Sequence, residues 1–307
     1  MSVFVKHAAT PCAFTSSDSW VILSPIEQSI KRKIESVGTP LKDWGIQINY
    51  GIKTGCNEAF IIDEAKRAEI LSWCLDANER KRTEQIIRPI LRGRDIKRYA
   101  YEWAHLYIIA TFPAFHLDIE DYPAIKKHLL SFGKERLEQT GKEHIVNGVR
   151  VKARKKSNNK WFETQDTIGY WDDFAKPKII WGEISDKTKF AIDAKGEFMQ
   201  EATTFLLTGE HLEYLLCYLN SPLSEYLFSK IGTTTGVGTV RWKKFKLEQL
   251  FVPKISDDSN FFANHLSRWL KDSDDIELTA INTKIYSLCN LTDEEIAFIE
   301  KAINHFC

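Results

Sequence analysis

The sequence predicts an α+β fold in which a mixed, largely antiparallel sheet is followed by a helical C-terminal segment. Short apolar runs such as HLYIIATF (105–112) and KPKIIWGEI (176–184) predict buried strands. These strands are not evenly separated by helices, so a doubly wound parallel sheet does not fit. From residue 256 onward the apolar spacing is helical, as in NFFANHLSRWL (260–270). With 307 residues, 43% of them hydrophobic, the chain can bury a substantial core in one large or two ordinary domains.

The first 45 residues are expected to form an entry segment rather than a domain. They open irregularly and then reach Ser24-Pro25, with Glu27 three residues after the serine. A serine cap, a proline at the first helical position and a glutamate at the third are typical of a helix start. The pattern predicts a short helix that Gly38 and Pro40 end.

Residues 46–255 are expected to form an α+β domain. The predicted strands are short apolar runs, in order IQINYGI (46–52), AFIID (59–63), HLYIIATF (105–112), KPKIIWGEI (176–184), KFAID (189–193) and EATTFLLT (201–208). The predicted helices have helical apolar spacing, in order EAKRAEILSWCL (64–75), DYPAIKKHLLSFGKERLEQT (121–140), GEHLEYLLCYLNS (209–221) and PLSEYLFSKI (222–231). KLEQLFVPKI (246–255) ends the zone.

Residues 256–307 are expected to form a helical C-terminal segment. Thr292 precedes Asp293, Glu294 and Glu295, and a threonine cap with acidic side chains in the first turn is typical of a helix start. From residue 255 onward there are ten acidic and four basic side chains. This acidic segment suits contact with a protein partner, or packing on the preceding domain, better than contact with DNA.

The zero net charge of the whole chain conceals two basic runs. Residues 80–98 hold eight basic and two acidic side chains, and residues 142–160 hold seven and one. Aromatic residues lie beside both runs. Two such runs in one domain favour a surface for a polyanion, although a solvated basic surface is the alternative for each.

The first run contains a candidate for reading DNA bases. Arg92 and Arg94 flank Gly93, and Asp95 can hold one guanidinium in a fixed pose. An oriented arginine can pair with guanine in the major groove through two hydrogen bonds. The alternative is a salt bridge that only braces a turn.

Three other segments are candidate phosphate contacts. Lys53 and Thr54 lie on a predicted turn after a strand, where a plain β-turn is the alternative. A second group lies on a polar loop or hairpin, whose alternative is a solvated tip, and consists of Lys152, Arg154, Lys155 and Lys156. The third group lies in and after the glycine-rich stretch 232–239, whose alternative is a disordered linker, and consists of Thr234, Arg241 and Lys243.

Several kinds of chemistry lack a motif in the sequence. There is no Walker loop, no Gly-x-Ser-x-Gly and no His-Glu-x-x-His, and the eight histidines are scattered. The six cysteines have no zinc-ligand spacing and are expected to be reduced thiols of a cytoplasmic protein, with no metal site. No apolar stretch is long enough to span a membrane, and the N-terminus is a poor secretory signal. We therefore expect no catalytic residues in this chain.

A series of segments resembles one known family. In order they are GIKTGCNEAFIID (51–63), IIRPILRGRDIKRY (86–99), LYIIATFP (106–113), DIEDYPAIKKHL (118–129), KWFETQDT (160–167), FAKPKIIW (174–181), EYLLCYLNSPL (213–223) and VRWKKFKLEQLFVPKI (240–255). Together they resemble the TaqI-type C-terminal specificity domain, the target-recognition part of type IIG restriction-modification enzymes and related adenine methyltransferases. The tail 281–303 resembles the helical end that follows that domain.

This resemblance implies sequence-specific recognition of double-stranded DNA on behalf of an adenine-N6 methyltransferase, with or without a nuclease. The family's cofactor loop, its Asn-Pro-Pro-Tyr-type motif and a nuclease centre are not present here, and Asn220-Ser221-Pro222-Leu223 lacks the paired prolines and the aromatic. S-adenosylmethionine, and Mg for cleavage, are therefore expected only in a separate catalytic domain or subunit. Two alternatives remain: a self-sufficient nuclease or methyltransferase with a dispersed active site, and an interaction subunit that docks a partner through residues 256–307.

Overall fold

The computed structural model describes residues 23–234, 239–255 and 259–304. The helices within these ranges are α1 (Pro25–Val37), α2 (Asn57–Phe60), α3 (Glu64–Ser72), α4 (Ala77–Ile86), α5 (Pro123–Leu130), α6 (Lys134–Leu137), α7 (Leu212–Leu219), α8 (Pro222–Ile231), α9 (Lys244–Leu247), α10 (Ser259–Asp272), α11 (Asp275–Leu288) and α12 (Asp293–Asn304).

The strands are short, as buried strands of a mixed domain usually are. They are β1 (Gly38–Pro40), β2 (Gln47–Tyr50), β3 (Ile61–Asp63), β4 (Ile87–Leu91), β5 (Leu106–Ile109), β6 (Glu143–Val146), β7 (Val149–Lys152), β8 (Lys178–Gly182), β9 (Ile184–Ser185), β10 (Phe190–Asp193), β11 (Met199–Gln200), β12 (Thr204–Thr208), β13 (Thr233–Thr234), β14 (Val240–Arg241) and β15 (Phe251–Pro253).

Two four-stranded sheets form the centre of the molecule. The first sheet has the order β10-β8-β12-β2, and all its pairs are antiparallel. The second sheet has the order β11-β4-β5-β3, in which only β11 and β4 are parallel. Three smaller pairings complete the fold: β1 with β15, β6 with β7, and β13-β14-β9. The predicted α+β class with largely antiparallel sheets is confirmed.

Alternation along the strands sorts the core into layers. In the first sheet Ile180 and Leu206 pack, with Ile90 and Ile108 of the second sheet, into a shared middle core. The residues next to these along each strand face the opposite way, because side chains alternate along a strand. Those of the first sheet join a core with α1, α7, α8 and the C-terminal helices. Those of the second sheet join a core with α2, α3 and α5.

The entry segment and the C-terminal helices share one core. The predicted start of α1 is confirmed, since Ser24 N donates to Glu27 Oε2 at 2.8 Å and Glu27 N donates to Ser24 Oγ at 3.5 Å. Ile30 and Ile34 of α1 pack in the same core as the buried residues of α10, α11 and α12. The predicted boundaries at 45 and 255 stay a prediction.

Two secondary-structure predictions were wrong, one for a helix and one for a strand. The single helix predicted over 121–140 is two helices, because α5 ends at Leu130 and Gly133 adopts a φ of +85° before α6. The predicted strand over 59–63 begins only at Ile61, and Ala59 and Phe60 belong to the one-turn helix α2.

The structure bears on two expectations, one for the cysteines and one for membrane-spanning helices. Among the described residues Cys56, Cys74, Cys217 and Cys289 are free thiols. Cys12 and Cys307 lie outside the described residues. Along the described ranges, the helices lack the combination of length and apolarity needed to cross a bilayer.

A buried ion pair in β8 and β10 yields a first prediction. Lys178 Nζ lies 2.6 Å from Asp193 Oδ2 with both side chains inaccessible to solvent. Lys178→Met should lower the free energy of unfolding by about 3–5 kcal/mol, because it leaves a buried carboxylate without its counter-charge. Urea unfolding measures the loss. Lys176→Met is the control, since Lys176 forms a surface pair with Asp173 and its loss should be far smaller. Equal losses in the two variants would contradict the prediction.

The contact between α1 and α12 yields a second prediction. Burial alone would raise the pKa of Glu295, but hydrogen bonds from Lys33, Thr292 and Ser29 lower it to about 2. The ionised carboxylate therefore stabilises the fold above the ordinary pKa of 4.5, and that contribution is lost as pH falls towards 2. Between pH 5 and pH 2 the free energy of unfolding should fall by about 3 kcal/mol less in Glu295→Gln than in the wild type. The exposed neighbour variant Glu294→Gln should instead behave like the wild type in the same pH series of urea unfolding.

Candidate nucleic-acid interface

The ends of several strands meet at one end of the two sheets. β2 ends at Tyr50, which pairs with Phe205 beside the start of β12, and β8 ends at Gly182, which pairs with Thr204. β4 ends at Leu91, whose carbonyl accepts from Glu201 N at 2.9 Å. We call the segments that follow these strand ends, residues 51–56, 92–97, 182–185 and 201–203, the loop end. It brings residues 150 positions apart in sequence into one surface.

Glu201 connects the two turns that the sequence singled out. Ile52 forms a parallel bridge with Glu201, and the Glu201 carboxylate accepts from Asn57 Nδ2 at 3.3 Å and from Thr203 Oγ1 at 2.7 Å. Gly51 is required beside it, because a Cβ there would lie 2.0 Å from the Glu201 carbonyl oxygen. The turn that carries Lys53 is therefore fixed against the segment that packs on the Arg92 turn.

Arg92 braces its own turn. Its Nε and Nη2 donate to the two carboxylate oxygens of Asp95 at 3.0 and 2.8 Å, and its backbone N donates to the same carboxylate at 2.9 Å. Asp95 is buried, and its hydrogen bonds raise the pKa of Arg92. The turn-bracing alternative thus describes Arg92, and a DNA contact by its remaining donors stays a prediction.

Arg94 is exposed at the tip of the same turn. Its guanidinium has no hydrogen bond or ion pair with any described residue. Beneath it, Gly93 and Gly182 touch, since a Cβ on Gly182 would lie 3.3 Å from Gly93 Cα. Arg94 therefore stands over the end of β8, where a cleft of about 340 Å³ opens. The polar residues lining the cleft are Arg94, Lys97, Glu183, Ser185, Lys189 and Thr203.

The segment after α8 supplies further basic residues beside this cleft. β14 pairs with β9, and Arg241 Nη1 lies 2.9 Å from Glu183 Oε1. Lys243 is half-buried, and its ammonium forms no ion pair with the described residues. Thr234 is placed by backbone pairing with Val240, whereas its side chain and residues 235–238 of the predicted loop lie outside the described residues.

Of the two residues predicted to contact phosphate at this turn, only Lys53 has an accessible side chain, and its phosphate contact stays a prediction. Lys53 is exposed and lies 3.8 Å from Asp166. Thr54 is only 1% exposed, because its hydroxyl donates to Asn57 Oδ1 at 2.6 Å and accepts from Cys56 N. The structure corrects the expectation for Thr54, whose side chain holds the turn and does not face solvent.

Arg154 requires the same correction. It is only 4% exposed, and its guanidinium donates to four backbone carbonyls at 2.6–2.8 Å, those of Thr54, Leu137, Trp161 and Glu163. Burial lowers its pKa to about 10. Arg154 therefore connects elements inside the fold, whereas the other three residues of its predicted group are exposed: Lys152, Lys155 and Lys156.

The polar groups of Asn220 and Ser221, in the segment compared above with the base-holding motif, form hydrogen bonds within the fold. The Asn220 side-chain amide forms two hydrogen bonds with the Phe190 backbone: it donates to the carbonyl at 2.9 Å and accepts from the N–H at 3.1 Å. Ser221 caps α8 by accepting from Ser224 N. Within the described ranges, no three His, Cys, Asp or Glu side chains are grouped to hold a metal ion.

Sequence reasoning missed the acidic half of this surface. Glu183 and Glu201 hold Arg241 and the loop-end turns, yet Glu183 is 58 residues from Arg241 and Glu201 is 144 residues from Asn57 in the chain. Lys97 and Lys189 line the cleft and also pair with carboxylates, those of Glu102 and Asp186. No local pattern marks these residues, because their role depends on strand pairing.

Comparison with known proteins identifies the family. The sequence of residues 88–252 matches the TaqI-like C-terminal specificity domain, and the chain belongs to this family. Over 283 residues it is 21% identical to the type II methyltransferase M.PaeR7I of Pseudomonas aeruginosa. The aligned residues make up 91% of this chain and 44% of that protein. The chain thus spans less than half the length of this relative.

Two solved structures share the fold. The type IIG restriction endonuclease BpuSI superposes with a TM-score of 0.54 at 12% identity, covering 92% of this chain and 32% of that one. The type IIL restriction-modification enzyme MmeI, solved in complex with DNA, superposes with a TM-score of 0.54 at 12% identity, covering 85% of this chain and 35% of that one. The expected resemblance to the specificity domains of restriction-modification enzymes is confirmed.

The buried role of Arg154 can be tested against its exposed neighbour. Arg154→Lys should lower the free energy of unfolding by at least about 3 kcal/mol, because one ammonium cannot satisfy four carbonyls spread around a planar guanidinium. Lys155→Ala, one residue away and exposed, should leave it nearly unchanged. Urea unfolding of both variants measures the difference. A wild-type unfolding curve for Arg154→Lys would contradict the assignment.

Proposed function

We propose that this chain recognises a short sequence in double-stranded DNA through its loop end. Its family is one of specificity domains, and the MmeI structure with the same fold is a complex with DNA. The observation that carries the proposal is a set of exposed cations that form no ion pair with the described residues, namely Arg94, Lys152, Lys155 and Lys156. Phosphates are the counter-charge that such a set attracts.

The cations divide into two kinds of contact. Arg94 stands on a turn that is braced by Arg92 and Asp95 and seated on Gly182, so its Cα is held in place. A guanidinium on a fixed backbone suits recognition of a base edge, above all guanine. Lys155 and Lys156 are point charges on a loop, which suits phosphate contact that carries no sequence information. Lys53, Arg241 and Lys243 would add phosphate contacts around them.

The target specificity would serve a methyltransferase. M.PaeR7I, which the chain matches over 44% of its length, is a type II methyltransferase. Transfer of a methyl group to adenine N6 would then be performed by a second domain or subunit that binds S-adenosylmethionine, and a linked nuclease would need Mg. This chain would supply the groove contacts and leave the target base open to that catalytic part.

Selection from a randomised duplex pool over a salt series tests this division of contacts. The purified wild type should retain a short motif. Arg94→Ala should relax one position of it, at a cost of about 1–3 kcal/mol. Lys155→Ala should weaken binding to all sequences alike and reduce the slope of log affinity against log salt by about one. Lys301→Ala, an exposed lysine on α12, is the control for loss of one charge.

Each outcome of this selection has a distinct meaning. Failure of the wild type to retain DNA even at low salt would overturn the proposal. Equal losses on every sequence from Arg94→Ala and Lys155→Ala would overturn the assignment of Arg94 as the base reader. Metal-dependent cleavage, or binding of S-adenosylmethionine by the purified chain, would favour a self-sufficient enzyme instead.

A further inference from the structure

β6 and β7 form a two-stranded ribbon whose base lies near the loop end. Its turn is Asn147-Gly148, and both residues have positive φ, +50° and +79°, as expected for a two-residue hairpin turn that matches the strand twist. A Cβ built on Gly148 would meet nothing within 4 Å. Neither strand pairs with any other described strand. The ribbon, residues 143–152, is therefore an arm and not part of a larger sheet.

One face of the ribbon is exposed to solvent, and we call it the bare face. Cross-strand pairing places Ile145 opposite Arg150 and Glu143 opposite Lys152, so these four side chains share a face. Ile145 is 77% exposed, and the Arg150 side chain, which lies 3.8 Å from the Glu143 carboxylate, is 83% exposed. On the opposite face His144, Val146 and Val151 are half-buried, and Val149, next to the turn, is exposed. An isolated two-stranded ribbon gains little stability by itself, so the arm depends on its attachment to the rest of the domain.

The base of the ribbon is rigidly attached. Ala153 N donates to the Lys142 carbonyl, Gly141 N to the Arg154 carbonyl and Arg154 N to the Glu138 carbonyl, all at 2.8–2.9 Å. The Arg154 guanidinium then reaches the Thr54 carbonyl at 2.6 Å. The arm therefore begins next to the turn that carries Lys53, which belongs to the loop end.

We propose that this ribbon enters the major groove of duplex DNA and reads it through its bare face. The inference rests on the proposed function and names one element of that DNA surface. The major groove, about 12 Å wide, admits a two-stranded ribbon, whereas the minor groove is only about 6 Å wide. Four residues per strand give a length of about 13 Å, enough to span the groove depth of about 8.5 Å.

The chemistry of the bare face matches that groove. Arg150 and Lys152 can donate to base-edge acceptors and to the phosphates that line the groove. Ile145 lies opposite Arg150 and can pack on the methyl group of thymine, which projects only into the major groove. A second copy of the ribbon fits this face less well, because it would bring two cations against two cations with one carboxylate on each side.

Groove-directed disulfide cross-linking tests the placement. Asn147→Cys puts a thiol at the tip, and duplexes with randomised flanks carry a disulfide tether either on thymine C5, in the major groove, or on guanine N2, in the minor groove. Ser273→Cys is the matched control, because Ser273 is an exposed turn residue with a φ of +54° between α10 and α11. The unmodified chain gives the background from native cysteines.

Asn147→Cys should cross-link to the major-groove tether at least about tenfold faster than to the minor-groove tether, and faster than Ser273→Cys does. If the chain retains DNA but Asn147→Cys prefers the minor-groove tether or matches Ser273→Cys, the ribbon inference is overturned and the proposed function stands. If the wild type retains no DNA in a filter assay at low salt, the proposed function itself fails and the ribbon inference fails with it.

Discussion

The core that the two four-stranded sheets share determines how their strand ends are arranged. Ile180 and Leu206 of one sheet are buried in the same core as Ile90 and Ile108 of the other, and this shared packing sets which strand ends lie side by side. Because packed interiors admit few alternative arrangements, the segments that leave those strand ends are fixed relative to one another. The helical layers on both outer faces follow, since each sheet needs its second apolar face covered. The loop end is thus a product of core packing and not of loop sequence alone.

Charge at the loop end is divided between structure and recognition. Arg92 and Arg154 are bound by Asp95 and by backbone carbonyls, and they hold turns together. Arg94 and Lys155, their neighbours in the chain, have no such partners among the described residues. Bound guanidiniums give the surface its shape because they are pinned at several points, whereas unbound cations keep their full attraction for phosphate. A surface that binds a polyanion with defined geometry needs both kinds.

Local features of the fold were predictable and tertiary ones were not. The helix starts at Ser24 and Thr292 follow from side-chain capping within four residues, so the sequence shows them directly. The difference between Arg154 and Lys155 depends on carbonyls contributed by residues up to 100 positions away, and composition treats the two alike. Glu201 was missed because its role arises from a bridge to Ile52. Gly133 broke a predicted helix because apolar spacing alone does not show a left-handed residue.

The contact of Gly93 with Gly182 has a consequence for how such a domain can change its target over time. The two backbones approach closely, since a Cβ on Gly182 would lie 3.3 Å from Gly93 Cα, so the main chain largely sets the spacing between the Arg94 turn and β8. Side chains around the cleft, such as Arg94, Lys97 or Lys189, can therefore be exchanged without altering the spacing of the backbones that carry them. A Cβ at position 93 would meet only ordinary van der Waals contacts, whereas one at position 182 would press on the Gly93 backbone. Gly182 is thus the position at which a substitution would shift the Arg94 turn, and with it the whole cleft.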